Sequence, residues 1–182
     1  SVSRLVPKNG IDILIRAVEI LNSNLQTTNY KLLIIGEGGQ KEDLVSLAKK
    51  LHVYDKIIWA GSVGHAELPG YLKISGVFVR PSRSEGLGSA FLEAMAAGIP
   101  IIGTKIGGIP DFLKNPSTNS GLATGVFAEI DNPADLAGKI ALVLDSKDLA
   151  DKLTNNAKNL VAEKYNWQTI AGHFRELYGS QI

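Results

Sequence analysis

The chain has 182 residues with 19 basic and 18 acidic side chains, a formal net charge of +1, so no bulk field gathers nucleic acid or anionic lipid. With 45% apolar and 20% charged residues it can bury a good core as one domain, and nothing in it reads as disordered. The absence of cysteine excludes disulfides and thiolate metal sites, and Gly98, Pro100 and Gly103 break the richest apolar run well short of the ~20 residues that cross a bilayer, so a soluble chain is expected.

In chain order, short β-branched runs alternate with helix-periodic segments. Val2 to Val6 reads as a strand, and Ile11, Leu14, Ile15, Val18 and Leu21 follow the spacing of an amphipathic helix. Leu32 to Ile35 is a buried strand ending at Gly36, and Leu44, Leu47, Ala48 and Leu51 mark the next helix. Strands follow at Ile57 to Ala60, Val77 to Arg80 and Ile101 to Gly103, with short helices between, one of which carries Glu93. Residues 114–120 read as a surface loop and 121–129 as a short strand segment. Pro133-Ala134-Asp135 opens a helix running to about Leu144, and two more helices close the chain. The last has Trp167, Ile170, Ala171, Phe174 and Leu177 on one stripe, open either to its own sheet or to a surface outside this chain. The expected fold is α/β: a Rossmann-like, doubly wound, mainly parallel sheet with helices on both faces. Such sheets bind ligands at the carboxyl ends of their strands, where Arg4, Gly36, Gly61 and Glu85 all fall.

The richest motif runs from Pro81 to Gly98 and sets Glu85 and Glu93 on either side of a Gly86-Leu87-Gly88 turn into a helix. Glycines let backbone amides approach a ligand, and the first amides of a helix lack intrahelical acceptors and carry the positive end of its dipole, which suits a phosphate. Glu93 lies about one turn into the helix, so both carboxylates can face one cavity and accept hydrogen bonds from sugar hydroxyls. Without a ligand, Glu93 would still gain about 0.3–1 kcal/mol from the helix dipole. Other phosphate signatures fail on spacing. Lys41 stands where a dinucleotide loop beginning at Gly36 needs its third glycine, and no P-loop sequence occurs. His52, His65 and His173 are scattered, and no carboxylate cluster has metal-ligand spacing.

Together with Ser3-Arg4-Leu5-Val6-Pro7-Lys8-Asn9-Gly10, Ile34-Ile35-Gly36-Glu37-Gly38, Trp59-Ala60-Gly61-Ser62-Val63, Gly107-Gly108-Ile109-Pro110 and Tyr165-Asn166-Trp167, this motif resembles the C-terminal, donor-binding domain of retaining glycosyltransferases of family four, which have the two-domain GT-B architecture. The resemblance implies a nucleoside diphosphate sugar as substrate, a hexose-type sugar moved to a hydroxyl acceptor, and no metal or other cofactor. Arg4, Lys8 and Glu85 are then the catalytic candidates, and Val63, Glu85, Gly86, Leu87, Gly88 and Glu93 the donor-binding ones. Much of the family has an arginine followed five or six positions later by a lysine, whereas Asn9 stands at the five-residue offset here and Lys8 one earlier. The resemblance also implies residues 1–164 as the nucleotide-sugar domain and 165–182 as a closing helix packing toward a separate N-terminal acceptor domain. The balanced charge argues against a nucleic-acid partner and the interrupted apolar runs against membrane insertion by this segment, and the lack of cysteine is compatible with a cytoplasmic protein, peripheral to the inner membrane if the other domain binds there. A GT-B sugar-nucleotide epimerase and a non-catalytic nucleotide-sugar-binding module remain open on the sequence alone.

Overall fold

The computed structural model describes residues 1–24, 30–116 and 122–179; the expected surface loop lies outside the described residues from 117 onward, as do Gly121 and the last three residues of the closing segment. In chain order the elements are α1 (Ile11–Asn24), β1 (Leu32–Ile35), α2 (Lys41–Lys50), β2 (Ile57–Gly61), α3 (Leu68–Lys73), β3 (Phe78–Arg80), α4 (Ser89–Ala97), β4 (Ile101–Thr104), α5 (Ile109–Phe112), β5 (Val126–Ala128), α6 (Pro133–Asp145), α7 (Lys147–Lys164) and α8 (Trp167–Gly179).

Every pairing is parallel, with β1 on β2 and β3-β4-β5 in that order. The expected first strand is a correction. Ser1–Ser3 is extended beside β1, with Ile35 N–H donating to the Ser1 carbonyl at 2.9 Å and Ser3 N–H to the Ile35 carbonyl at 3.0 Å, but it forms a single bridge, Val2 to Ile35. From Pro7 the chain turns into a short 3-10 segment, because proline has no N–H for a ladder and fixes φ near the helical value. The Ser1–Ser3 segment stands between the two sheets, since the Arg80 side chain reaches back to the Val2 carbonyl at 3.3 Å.

Alternation along each strand distributes the core. Ile34 packs with Leu5, Ile11, Ile15 and Leu44, while Ile35 faces the other way with Phe78, Phe91 and Met95. Phe78 and Ile101 join that second cluster, whereas their neighbours Val79 and Ile102 meet Leu14, Leu136 and Ile140 from α1 and α6. All of β4 is buried, as expected of a parallel strand covered by helices on both faces. Between β3, α4 and α5 sits a run of aromatic rings: Phe91 lies 5.1 Å edge-on from Phe78 and 5.8 Å from Phe112. The closing helix α8 buries none of its residues, and Trp167 and Leu177 are 81% and 67% exposed. Among the described residues no helix is long and apolar enough to cross a membrane.

Phe91 is fully buried at the centre of this arrangement, so Phe91→Ala is expected to lower the unfolding free energy by about 3–5 kcal/mol, measured by urea denaturation.

Candidate functional site

The loops that leave the carboxyl ends of the strands are strapped to one another by main-chain contacts. The loop from Arg4 to Gly10 lies between two others. On one side Leu5 N–H donates to the Glu37 carbonyl at 2.9 Å and the Leu5 carbonyl accepts from Gln40 N–H at 3.1 Å. On the other, the Lys8 carbonyl accepts from Arg83 N–H at 2.6 Å and Ser84 N–H at 3.3 Å. Asn9 is buried, and its Nδ2 donates to the Arg4 carbonyl at 2.7 Å, which holds the loop curled. The amide at the five-residue offset thus has a structural task, while the Arg4 and Lys8 side chains stand exposed on the same loop.

The loop from Pro81 to Gly88 is fixed from three sides. Arg83 forks onto Asp12 of α1, with Nη1 at 2.9 Å and Nη2 at 2.7 Å from its two oxygens, and Nε donates to Asp131 at 2.5 Å. Those hydrogen bonds, led by that to Asp12, push the Arg83 pKa above its ordinary value, so its charge is permanent. Thr104 Oγ1 donates to the Ser82 carbonyl at 2.5 Å, and Gly108 N–H to the Gly86 carbonyl at 2.9 Å. Gly107 has φ +48, and a Cβ there would overlap the Glu85 carbonyl, so only glycine admits this approach.

Gly88, at φ +74, opens α4 without a side-chain cap, as α2, α3 and α5 also begin, whereas α6 and α7 are capped by Asn132 and Ser146. The N-terminus of α4 therefore keeps amide donors free of any capping side chain, beside the exposed Gly86 and Leu87.

Glu93 is half-buried and lines a cavity of about 310 Å³ with the exposed His65, with Leu68 and Leu72, and with Lys73. Glu85 turns inward instead: Oε1 accepts from Gly86 N–H at 3.2 Å, while Oε2 is enclosed and forms an ion pair with Arg80 Nη2. The cause is the buried guanidinium beneath the loop, an attraction stronger in that low-dielectric place than water would allow. Val63 is half-buried against the Phe91 cluster, just beyond Gly61, whose carbonyl accepts from Gly36 N–H at 2.7 Å. Loops carrying Arg4, Gly36, Gly61 and Glu85 thus meet at one edge, as expected from the order of the strands. A larger cavity of about 460 Å³, walled mainly by Leu14, Leu33, Ile58, Ile74, Val77 and Leu144, lies at the opposite edge, away from these loops. Among the described residues no group of three or more His, Asp or Glu could hold a metal ion.

Sequence reasoning missed Arg80 and Arg83 as organisers of this site. Arg80 closes an apolar run and was legible only as the end of a strand; its burial to 7% exposure comes from residues far away in sequence.

The profile of the family Glycosyl transferases group 1 matches residues 1–160. An uncharacterized glycosyltransferase of Methanocaldococcus jannaschii is 34% identical over 97% of this chain and 43% of its own length. The GDP-mannose-dependent alpha-(1-6)-phosphatidylinositol monomannoside mannosyltransferase of Mycobacterium tuberculosis is 31% identical over 93% of this chain and 44% of its own length. A crystal structure of an S. aureus TarM variant in complex with UDP, fondaparinux and alpha-GlcNAc-glycerol superposes with a TM-score of 0.84 at 25% identity, covering 97% of this chain and 34% of that one. The chain spans less than half the length of these relatives. Its parallel sheet, its covering helices and the match over most of its length identify it as a member of the glycosyl transferases group 1 family, with the Rossmann-like fold of one half of a GT-B glycosyltransferase.

Proposed function

We propose that this domain binds the nucleoside diphosphate sugar for a retaining glycosyltransferase, which moves a hexose-type sugar to a hydroxyl acceptor with its anomeric configuration kept. The observation that carries the reading is the uncapped N-terminus of α4, opened by Gly88, with the Arg4 to Gly10 loop bonded directly to the loop that precedes it. The amides of Leu87 and Gly88 hold the sugar and the distal phosphate, with the Gly86 amide, shared with Glu85 Oε1, beside them, since backbone N–H groups at a helix start favour an anion. Glu85 accepts a hydroxyl of the sugar, Glu93 accepts the ribose hydroxyls, and the backbone near Val63 meets the base. As the glycosidic bond breaks, negative charge gathers on the departing diphosphate. Arg4 and Lys8, exposed beside the site, stabilise that charge more in the transition state than in the ground state, and no metal is required. The TarM variant held UDP and the mannosyltransferase relative is named for GDP-mannose, so both bases belong in a test. The acceptor is bound by a further, N-terminal domain, and the exposed apolar stripe of α8 is the surface turned toward it.

Titration calorimetry with UDP-, GDP- and ADP-sugars is expected to show binding to one base class, and binding to none would sink the reading. Against the sugar nucleotide that binds, Glu93→Ala should weaken affinity about 10- to 100-fold, the scale of a hydrogen bond to a charged group; affinity equal to wild type would remove Glu93 from the ribose site.

A glycine pair separates the loop's binding task from its structural one. At Gly86 a Cβ meets nothing within 4 Å, so Gly86→Ala should change stability by no more than about 0.5 kcal/mol while lowering donor affinity. Gly107→Ala should cost about 1 kcal/mol or more in thermal or urea unfolding, because it strains the backbone and pushes on Glu85.

In the longer protein, Arg4→Ala should lower kcat by about a hundredfold with little change in donor affinity; loss confined to binding would count against a transition-state role.

A further inference from the structure

Arg80 is a charged side chain in an otherwise apolar strand, and each nitrogen of its guanidinium has a partner. Nη1 donates to the Val2 carbonyl at 3.3 Å, Nε donates to Ser82 Oγ at 3.1 Å, and Nη2 pairs with Glu85 Oε2. Its Cζ lies over the Phe91 ring, 5.3 Å from the centroid. Burial pushes its pKa down to about 10, so it remains a cation at neutral pH. Arg80 and Glu85 have side chains only 9% and 11% exposed, and Glu85 forms no other ion pair among the described residues. A carboxylate enclosed to this degree needs a partner, or it takes up a proton and changes from a pure acceptor to a donor. Arg80 also ties together two loops distant in sequence, since Val2 lies two residues before Arg4 and Glu85 lies on the loop into α4.

We propose that Arg80 is a positioning residue for Glu85: anchored on Val2 and Ser82 and backed by Phe91, it holds the carboxylate ionised and in one orientation, with Oε2 turned inward and Oε1 beside the Gly86 amide. The sugar then meets a fixed, acceptor-only oxygen, which selects a hydroxyl donor at that position. The role toward the sugar rests on the function proposed above, whereas the pairing of the two side chains does not.

The pairing is tested first, without ligand, by carboxyl ¹³C NMR titration of the whole chain, the Glu85 resonance being assigned by its loss in Glu85→Gln. Arg80→Met should move the Glu85 midpoint up by about one pH unit or more, and Arg80→Lys should restore most of the shift. An unmoved midpoint in a folded Arg80→Met protein overturns the proposal. If Arg80→Met does not fold, the double variant Arg80→Met with Glu85→Gln decides. It should withstand urea better than Arg80→Met alone, because no unpaired buried carboxylate remains, and simply additive losses overturn the pairing.

The sugar-side role is read from UDP-glucose against UDP, with GDP-mannose against GDP as the second pair. Arg80→Met should weaken the sugar nucleotide about tenfold while leaving the plain nucleotide within about threefold, and Arg80→Lys should fall between. Equal loss for both members of a pair overturns the positioning of Glu85 toward the sugar. If wild type binds neither pair, ADP-glucose against ADP is read in their place; if it binds none of the three, the donor-binding function fails and the sugar-side role with it, while the ligand-free titration still decides the pairing.

Discussion

Main chain pressed against main chain holds the site together. Side chains would keep these loops several ångströms apart, yet Gly36 sits where a Cβ would overlap the Ser3 carbonyl, and Gly107 where it would overlap that of Glu85. The same closeness sets Gly38 against Leu5 and Gly10 against Pro81. Each contact joins the loop after one strand to the loop beside the next, so the rim behaves as one piece. The hydrogen bonds follow from this proximity: Lys8 can receive the amides of Arg83 and Ser84, and Gly86 that of Gly108, only because nothing stands between the backbones. The proposed donor at the start of α4 would therefore meet amides whose positions are set by four loops together, with little ordering left for binding to impose.

The strands and helices were legible because both of their periods are strong in this sequence. Leu32–Ile35 is a strand where expected, and the helix spacing from Ile11 to Leu21 matches α1. The Val2 to Val6 strand was over-read: its β-branched residues suit a strand, but Pro7 and the buried amide of Asn9 turn the chain away after a single bridge. The meeting of Arg4, Gly36, Gly61 and Glu85 at one edge follows from parallel topology alone and was legible for that reason. The orientation of Glu85 was not. Helical spacing places Glu93 relative to the turn, but the inward pull on Glu85 comes from Arg80, whose burial depends on Val2, Ser82 and Phe91 and has no local signature. Similarly, the Asp12 and Asp131 partners of Arg83 lie 71 and 48 residues away, a separation that no motif reports.

Charge on this rim is divided by depth, and the division bears on how the proposed diphosphate would be met by a chain of net charge +1. Arg80 and Arg83 are both close to the start of α4, yet each is already neutralised, one by Glu85 and the other by Asp12 and Asp131. Their task is to hold the loop in place, and a cation so engaged offers an incoming anion little net field. Arg4 and Lys8 differ in kind: they are exposed, and they sit on a loop whose backbone is fixed by Glu37 on one side and by Arg83 and Ser84 on the other. Long side chains on a rigid base can close over a ligand without moving the main chain. The inner pair of arginines thus supplies the rigidity, and in the proposed reaction the outer arginine and lysine are the cations left for the charge that would develop as a leaving group departs.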